Sequence, residues 1–540
     1  MNMKKIGLIA VLSVMVCSAW AVPARRGEIV KTQPDGTQIV VYQHGDEHFH
    51  WMTNEKGEWL KMDVDGFYRV TEALSAEQIE AKRMAAPSRA AQAATPLNIA
   101  PRGLVILVNF TDVAFETDKA EMDSMLTGKN YTRDYSYFYR GKKQSITSKG
   151  SAWQYFYDSS NGHYDPQFDV IGPVTVSKNM AYYGKNVSDF DAAPWTMVKE
   201  ACQLVDDSVD FKQYDNNNDG YVDFVYVIYA GYGEADGGDK NTIWPHSYWL
   251  LEAGITCKLD GKYVDLYACG NEMDSRTNYH TGIGTFCHEF SHVLGLPDLY
   301  ETTGYGTYKT IGAWSILDYG PYNNDGNTPP AYSAYEQFFM GWLMPRLIVD
   351  AENVELEELQ ASNSALLISS SDQHNLIGND PKPTTFYLLE NRQQVGWDEY
   401  LPGHGLMLTK VQYSQDKWEQ NTVNNSSSRM GVDLIEADGK KPSSSSNGYT
   451  GKAGDLFPAG ATEYLGITNH SIEDVSEQDG IIYFKYRGGI ATSTEQVQTE
   501  ETIVAIYNIL GQKQAAVDIE SLPHGTYVVV TTAGSKKIVR

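Results

Sequence analysis

The stretch Thr285-Phe-Cys-His-Glu-Phe-Ser-His-Val-Leu-Gly-Leu-Pro-Asp-Leu-Tyr300 is the part of the chain around which the rest is interpreted. It contains His288, Glu289 and His292 in the order His-Glu-x-x-His. Residues four apart on a helix lie on one face, about one turn from each other, so both imidazoles can bind one metal ion. The stretch therefore predicts two zinc ligands, with Glu289 beside them as the base that takes a proton from water.

The residues after the second histidine predict that the chain turns back towards the metal. Gly295 can adopt the left-handed conformation that ends a helix, and Pro297 prevents the helix from resuming. Asp298 follows and is our predicted third zinc ligand, although an aspartate after such a turn is also an ordinary turn residue. The alternative third ligand is Glu336, on a helix predicted over residues 330–343.

A second turn, residues 311–320, follows the zinc helix. In metzincin proteases a methionine turn forms an apolar floor under the zinc, and here Leu317 stands at that position with similar apolar volume. Tyr319 comes two residues later and is a candidate donor to the oxyanion of a hydrated peptide. The alternative is a tyrosine that only packs in the turn.

Composition limits the classes of function. The chain has 540 residues and a net charge of −26, which argues against binding of nucleic acid through its phosphates. This length predicts several domains. The acidic balance is typical of a soluble extracellular protein that uses carboxylates for calcium.

The N-terminus has the pattern of a secretory signal peptide in residues 1–21. Lys4 and Lys5 precede a short apolar run, and Ala19-Trp-Ala21 is a small-x-small cleavage site that places the mature N-terminus at Val22. No later stretch is apolar enough over a sufficient length to predict a transmembrane anchor. The predicted location is therefore secreted or at the cell surface.

Four cysteines remain after the signal peptide, and export would permit disulfides. An Asp260-Gly261 turn predicts a hairpin whose register pairs Cys257 with Val264, which disfavours a direct Cys257–Cys269 bridge. We expect Cys287, before the first zinc histidine, to be a small buried residue.

Residues 22–101 are predicted to be a β-rich prosegment followed by a linker. Strands are expected at 38–42 and 67–70, and an Ala- and Pro-rich linker at 85–101. A cysteine cannot provide latency, because the prosegment contains none. Several of its polar side chains are either exposed strand residues or metal contacts. They are His44, Asp46, His48 and His50.

Residues 215–223 are a candidate calcium loop, since oxygen ligands alternate and Gly220 permits a sharp turn. Tyr226 occupies the position where an EF-hand would have its bidentate glutamate, so this is not an EF-hand. The alternative is a polar turn that binds nothing. The candidate calcium ligands are Asp215, Asn217, Asp219 and Asp223.

Several further segments match a known family in order and spacing, from residue 102 to about 485. The chain resembles the secreted metallopeptidases of the immune inhibitor A type, and it departs from them at Leu317, where a methionine is often found. The resemblance implies a secreted, zinc-dependent endopeptidase made with a signal peptide and a prosegment. The segments that carry it are Arg102–Asp112, 215–223, Ile243–His246, 288–300, 312–320, Ser333–Gln337, Gly341–Leu343, Tyr387–Gln393 and Leu401–Leu406.

The predicted fold class is an α+β zincin-like catalytic domain between β-rich regions. Residues 102–345 form the catalytic domain, 346–486 an all-β region that completes it, and 487–502 a polar linker. Residues 503–540 resemble the C-terminal sorting domain of type IX secretion cargo, which implies the outer-membrane secretion machinery as a partner.

The predicted activity is hydrolysis of peptide bonds in extracellular proteins. Zn²⁺ is the expected cofactor and Ca²⁺ a second candidate. One alternative is a catalytically silent zinc-binding adhesin or glycan-binding protein on a protease scaffold, which an intact Glu289 disfavours. The other is a zinc hydrolase that acts on amides or esters other than peptides.

Overall fold

The structure is a computed structural model. The chain divides into two compact units, residues 1–490 and 491–540. Among the described residues, no helix has both the length and the apolar character needed to cross a membrane. The structure describes residues 22–46, 49–75, 78–79, 102–187, 190–303, 310–441, 451–489, 503–508, 513–514, 526–531 and 534–539.

The N-terminal region (residues 22–79) contains a five-stranded antiparallel sheet whose strands pair in sequence order. The strands predicted at 38–42 and 67–70 are both found in it. The predicted signal peptide, residues 1–21, and the predicted linker, residues 85–101, lie outside the described residues. The strands are β1 (Ile29–Thr32), β2 (Gln38–Asp46), β3 (Phe49–Thr53), β4 (Trp59–Met62) and β5 (Tyr68–Val70).

The central region (residues 102–345) is built on a five-stranded mixed sheet. The run Leu104–Val108 is fully buried, since both faces of its strand are covered, and this explains its uninterrupted apolar sequence. The strands of the region are β6 (Arg102–Asn109), β7 (Thr132–Tyr139), β8 (Lys142–Lys149), β9 (Gln167–Thr175), β10 (Asn186–Val187), β11 (Phe190–Asp191), β12 (Tyr221–Val222), β13 (Val225–Tyr232), β14 (His246–Trp249), β15 (Cys257–Leu259), β16 (Lys262–Val264) and β17 (Leu266–Met273).

The main sheet has the strand order β14-β17-β13-β6-β9, in which β14 is an antiparallel edge strand and the other four are parallel. Strands β12 and β13 are separated at Asp223, whose N–H bonds the carbonyl of Tyr214 instead of a neighbouring strand. The hairpin of β15 and β16 has the predicted register, with Cys257 opposite Val264. The four cysteines among the described residues, Cys287 included, are buried and unbridged.

The helix that carries His288 and His292 packs against this sheet through aromatic side chains. Phe286 and Phe290 contact Phe168 edge-on, and Phe290 contacts Phe224 in the same way. The helix Pro194–Val205 begins with a proline, which suits the first turn of a helix. The helices of the central region are α1 (Lys119–Thr127), α2 (Ala152–Ser159), α3 (Met180–Gly184), α4 (Pro194–Val205), α5 (Gly284–Val293) and α6 (Ala334–Phe339).

The β-rich region (residues 346–486) contains a five-stranded and a three-stranded sheet, and two short helices as well, so the all-β prediction was incomplete. It joins the central region through Arg392, a fully buried residue that is paired with Asp398 and donates to the carbonyl of Trp314. Its elements are β18 (Arg346–Leu347), β19 (Glu352–Leu356), α7 (Leu359–Ser362), β20 (Leu366–Ile368), β21 (Thr385–Arg392), β22 (Gly405–Gln412), α8 (Gln415–Glu419), β23 (Val432–Leu434), β24 (Ile472–Gln478) and β25 (Ile481–Tyr486).

The second unit contains a three-stranded antiparallel sheet in which each strand pairs with the next. This agrees with the small β unit predicted over residues 503–540. Its strands are β26 (Ile503–Asn508), β27 (Thr526–Thr531) and β28 (Gly534–Val539).

Candidate metal centre

The first turn of α5 is pressed against the loop that follows the 311–320 turn. A Cβ added to Gly284 would lie 1.9 Å from the carbonyl oxygen of Pro321, so the helix start requires glycine. The helix ends as the sequence predicts, with Gly295 in the left-handed region at φ +95°. The chain then folds back across the last turn of the helix.

His288 and His292 are buried and face each other across one turn of α5. Their Nε2 atoms lie 3.0 Å apart. The Nδ1 of His288 is 2.7 Å from the carbonyl oxygen of Ile316, and the Nδ1 of His292 is 2.8 Å from that of Leu296. Because a carbonyl oxygen only accepts, each Nδ1 carries the proton, and each Nε2 directs its lone pair to the shared centre.

Asp298 completes this centre. Its Oδ1 lies 3.3 Å from the Nε2 of His288 and 3.3 Å from that of His292. Burial alone would raise the pKa of Asp298, but the two imidazoles hold it below the usual range, while burial lowers the pKa of His288. Two imidazole lone pairs and a carboxylate oxygen thus converge in a buried site, a donor set that fits a divalent cation such as zinc.

The alternative ligand, Glu336, has a different position. It is the third residue of α6 and forms a capping box with Ser333, and its carboxylate also accepts the hydroxyl of Ser315. Among the described residues, the only group of three or more His, Cys, Asp or Glu ligand atoms close enough for a metal is His288, His292 and Asp298. The arrangement therefore favours Asp298 and gives Glu336 a supporting contact beneath the 311–320 turn.

Asn421, from the β-rich region, holds Asp298, and sequence reasoning missed it. Its Nδ2 donates to Asp298 Oδ2 at 2.6 Å, and its Oδ1 accepts the N–H of Asp298 at 2.7 Å. The same segment fixes the next residues, since Asn425 accepts the N–H of Thr302 at 2.8 Å. A residue 123 positions downstream thus orients a candidate metal ligand. No local pattern around Asn421 indicates this contact.

We expect replacement of Asn421 with glycine to weaken zinc binding about 10- to 100-fold, the usual cost of losing a partner of a metal ligand. Glycine is chosen because Asn421 has φ +52°, which glycine adopts without strain. Competition with a chromogenic chelator measures the affinity. Asn469→Gly is the matched control, since Asn469 has φ +61° elsewhere in the β-rich region. Equal affinities in both variants would remove Asn421 from the site.

The N-terminal region reaches Glu289, the candidate base. The backbone N–H of Val22 donates to Glu289 Oε1 at 2.9 Å, and Val22 is fully buried. Two side chains of the central region fix the backbone that follows this N–H. Trp244 Nε1 donates to the carbonyl of Val22 at 3.1 Å, and the hydroxyl of Tyr322 donates to the carbonyl of Pro23 at 2.7 Å. The start of the N-terminal region therefore covers the candidate site.

Tyr319, the candidate oxyanion donor, lies beside the same segment. The Cζ of Arg26 is 3.7 Å from the centroid of the Tyr319 ring. Burial raises the pKa of Tyr319, so its phenol stays protonated and is able to donate. Leu317, in the same turn, is fully buried, and its carbonyl accepts the N–H of Leu299, which links the turn to the segment after the zinc motif.

The candidate calcium loop forms a tight turn, and its most buried carboxylate, that of Asp215, is already paired with a lysine. Asp215 pairs with Lys262 Nζ at 2.5 Å and accepts the N–H groups of Asp219 and Gly220. Asp223 accepts the side-chain amide of Asn216 at 2.6 Å. Asn217 donates to Asp219 at 3.1 Å. The carboxylates of the loop are thus bonded to neighbouring groups of the protein.

The described polar residues of the N-terminal sheet that were candidate metal contacts have other partners. His44 lies 2.8 Å from the Thr53 hydroxyl. His50 pairs with Glu234 at 3.0 Å and stacks on Trp244, so it is neither an exposed strand residue nor a metal contact. Asp46 is buried and bonds the N–H of Phe49. His48 lies outside the described residues.

Known proteins match the part of the chain that holds this centre. Residues 98–344 match the family model "Immune inhibitor A peptidase M6, catalytic domain". The chain is 26% identical over 291 residues to the pre-pro-metalloprotease PrtV of Vibrio cholerae serotype O1 (strain M66-2), which covers 48% of this chain and 31% of that protein.

It is also 27% identical over 268 residues to immune inhibitor A of Bacillus thuringiensis subsp. alesti, which covers 44% of this chain and 39% of that protein. The chain thus spans about a third of the length of the curated relatives that it matches. The family match and the geometry concern the same residues, since His288, His292 and Asp298 all lie within the matched range 98–344.

Proposed function

We propose that this protein is a secreted, zinc-dependent endopeptidase that hydrolyses peptide bonds of extracellular proteins. The observation that carries the proposal is the convergence of His288 Nε2, His292 Nε2 and Asp298 Oδ1 within 4.8 Å of one another, next to Glu289 on the same helix. Three protein ligands are the number that catalytic zinc sites use.

Four residues hold the centre and move protons. His288, His292 and Asp298 would hold zinc, which when bound polarises a carbonyl and lowers the pKa of water towards roughly 7. Glu289 takes a proton from the attacking water and passes it to the leaving amine. Tyr319, protonated because burial raises its pKa, donates a hydrogen bond to the developing oxyanion.

Residues 22–101 act in this proposal as a prosegment that keeps the chain latent. The support is the contact of Val22 with Glu289 and the cover that Arg26 places over Tyr319. A peptide substrate cannot reach a base whose oxygen is bonded to a buried backbone N–H. Removal of this segment by proteolysis in residues 80–101 would uncover both side chains.

We expect the prosegment to be held least tightly in alkaline solution. Burial alone would lower the pKa of His50, but the adjacent Glu234 carboxylate outweighs it and raises the pKa to about 9. A raised pKa means that this contact contributes fully below about pH 6.5 and is lost as the pH rises through about 9. Gel filtration after limited proteolysis, at pH 6, 8 and 10, measures release of the cleaved segment.

His50→Gln should remove most of the pH dependence of this release, because glutamine does not titrate. His44→Gln is the matched control, since His44 lies on the same sheet and contacts Thr53 of that sheet. If release from the unsubstituted chain is the same at pH 6 and pH 10, the His50–Glu234 pair does not hold the prosegment.

The route of export belongs to the same proposal. Residues 1–21 would be removed as a signal peptide, and residues 503–540 would serve as a type IX sorting domain for the outer-membrane secretion machinery. The loop with Asp215, Asn217, Asp219 and Asp223 would bind Ca²⁺ only if Lys262 moves away from Asp215. Calcium is therefore a secondary element of the proposal.

Casein digestion tests the proposed activity. The full chain is cleaved by limited trypsin treatment after Lys82, Arg83 or Arg89, trypsin is inhibited, and casein is added with and without a zinc chelator. We expect cleavage that the chelator abolishes and that added zinc restores. A folded, zinc-loaded chain freed of residues 22–79 that cleaves neither casein nor a peptide library would contradict the proposal.

A further inference from the structure

The segment that covers the candidate site also places an arginine in a pocket of carboxylates. The guanidinium of Arg25 contacts Asp274 and Asp325, and its Nη1 lies 3.8 Å from Asp236 Oδ1. The side chain of Arg25 is only 6% exposed. We call Asp236, Asp274 and Asp325 the acidic pocket. Because Arg25 lies in it, the acidic pocket is able to bind a guanidinium group.

The sheet explains why two of these carboxylates are neighbours. Asp236 follows β13 and Asp274 follows β17, two adjacent parallel strands whose carboxyl ends meet at one edge of the sheet. Asp325 comes from the turn that presses on the start of α5. The acidic pocket is thus built entirely from the central region and does not require the N-terminal region for its residues.

Each carboxylate has partners other than Arg25, so the pocket is organised without it. Asp274 is fixed by backbone N–H groups, Asp236 by a side-chain amide, and Asp325 by a phenol and by a second guanidinium. These contacts are Arg276 N at 2.8 Å and Thr277 N at 3.0 Å to Asp274, Asn271 Nδ2 at 3.0 Å to Asp236, and Tyr137 hydroxyl at 2.6 Å and Arg276 Nη1 at 3.1 Å to Asp325.

The charges of the pocket require a cation. Three carboxylates face Arg25 and Arg276, so loss of Arg25 leaves three negative charges beside one positive charge. Burial and the charge of Asp274 raise the pKa of Asp236 to about 6 even with Arg25 present. Unpaired charges at buried positions are costly, and a planar guanidinium can satisfy several carboxylate oxygens at once.

The pocket lies within reach of a peptide bound at the metal centre. Arg25 is three residues from Val22, whose N–H bonds Glu289, so an extended chain of about 10 Å joins the two points. The segment is held through its backbone, with the N–H of Arg25 donating to the carbonyl of Ala235 at 3.1 Å. Such contacts do not depend on side chains, so a substrate can follow the same path.

We propose that Asp236, Asp274 and Asp325 form a substrate subsite that selects an arginine side chain of the cleaved protein, and that Arg25 occupies this subsite in the unprocessed chain. The proposal rests on the proposed peptidase function. The preferred substrates are therefore proteins with an arginine at one fixed distance from the scissile bond, with lysine a weaker choice because its ammonium cannot bridge several carboxylates in one plane.

Peptide pairs that differ only in arginine or citrulline at one position test the subsite, because citrulline has nearly the same shape without the charge. The enzyme is the full chain, cleaved with trypsin that is then inhibited, and freed of residues 22–79. We expect kcat/KM to be at least about tenfold higher for arginine at one position, as for charge-assisted hydrogen bonds. The absence of such a position in an enzyme that cleaves the peptides would overturn the proposal.

Variants assign the preference to the pocket. In Asp274→Asn with Asp325→Asn, the ratio of kcat/KM for the arginine peptide to that for the citrulline peptide should fall to about one. Asp169→Asn, which breaks the surface pair with Arg102, is the matched control and should keep the ratio. An unchanged ratio in the double variant would mean that these carboxylates anchor only the N-terminal segment. If the double variant does not fold, the peptide series with the unsubstituted enzyme decides.

A binding measurement separates this proposal from the proposed function. The peptide Val-Pro-Ala-Arg-Arg-Gly, which copies residues 22–27, and its form with citrulline in place of Arg25 are titrated against the same enzyme by fluorescence anisotropy. We expect about tenfold weaker binding of the citrulline peptide. If the citrulline peptide binds more weakly but no peptide is cleaved, the proposed peptidase function is rejected and the arginine-binding pocket is retained. If peptides are cleaved but neither assay shows a preference for arginine, only the arginine-binding pocket is rejected.

Discussion

Replacement of Glu289 with glutamine is expected to lower kcat/KM for casein by about 10³- to 10⁴-fold, with zinc retained. Glutamine has nearly the same shape but cannot take a proton from water, and general-base catalysis contributes up to about 10⁴-fold. Both candidate histidine ligands and Asp298 remain in place, so one zinc per chain should still be found by atomic absorption. Activity is measured on the chain freed of residues 22–79.

The control for this prediction is Glu399→Gln, since Glu399 is a glutamate of the surface that pairs with Lys149 at 2.7 Å. Its rate should match that of the unsubstituted enzyme, because exposed pairs contribute little. If Glu289→Gln keeps more than about a tenth of the activity, another group is the base. If it loses both zinc and activity, the change has disturbed the metal centre and the role of Glu289 must be judged from other substitutions.

Replacement of Asp298, the predicted third ligand, should have an effect of similar size on the affinity for zinc. We expect Asp298→Ala to weaken zinc binding by more than about 100-fold, because a three-ligand site becomes a two-ligand site. The buried imidazoles of His288 and His292 would also lose the carboxylate that lies 3.3 Å from each. Chelator competition at fixed pH measures the affinity, and activity should fall in parallel at limiting zinc.

Glu336→Gln is the comparison that decides between the two candidate ligands. Its amide oxygen can still accept the hydroxyl of Ser315, so the turn beneath α5 should survive and zinc binding should change little. If instead Glu336→Gln loses zinc and Asp298→Ala keeps it, the third ligand is Glu336. Circular dichroism of both variants shows whether the fold is intact before the affinities are compared.

Much of this site was predictable from sequence because the residues that form it are close together in the chain. The four-residue spacing of His288 and His292 on a helix brings both imidazoles to one point, and Gly295 in the left-handed region returns Asp298 to them. The register of the β15–β16 hairpin followed in the same way from the Asp260-Gly261 turn. In each case the residues that interact are close in sequence, so backbone geometry fixes their relation.

Contacts between distant segments were not predictable in this way. Asn421 contacts Asp298 across 123 residues and Val22 contacts Glu289 across 267, and neither pair leaves a periodic pattern. His50 was interpreted as an exposed strand residue or a metal contact because its partner, Glu234, belongs to another region. The break between β12 and β13 likewise depends on Tyr214, whose carbonyl accepts the N–H of Asp223.

The contact of Asn421 with Asp298 has a consequence for the order in which the protein is made. Synthesis proceeds from the N-terminus, and the ribosome must add 123 more residues after Asp298 before its partner exists. The nascent chain therefore contains the complete zinc motif long before that motif can be held in its final arrangement. The candidate metal centre is thus complete, with the contact that orients Asp298, only after residue 421 has been made.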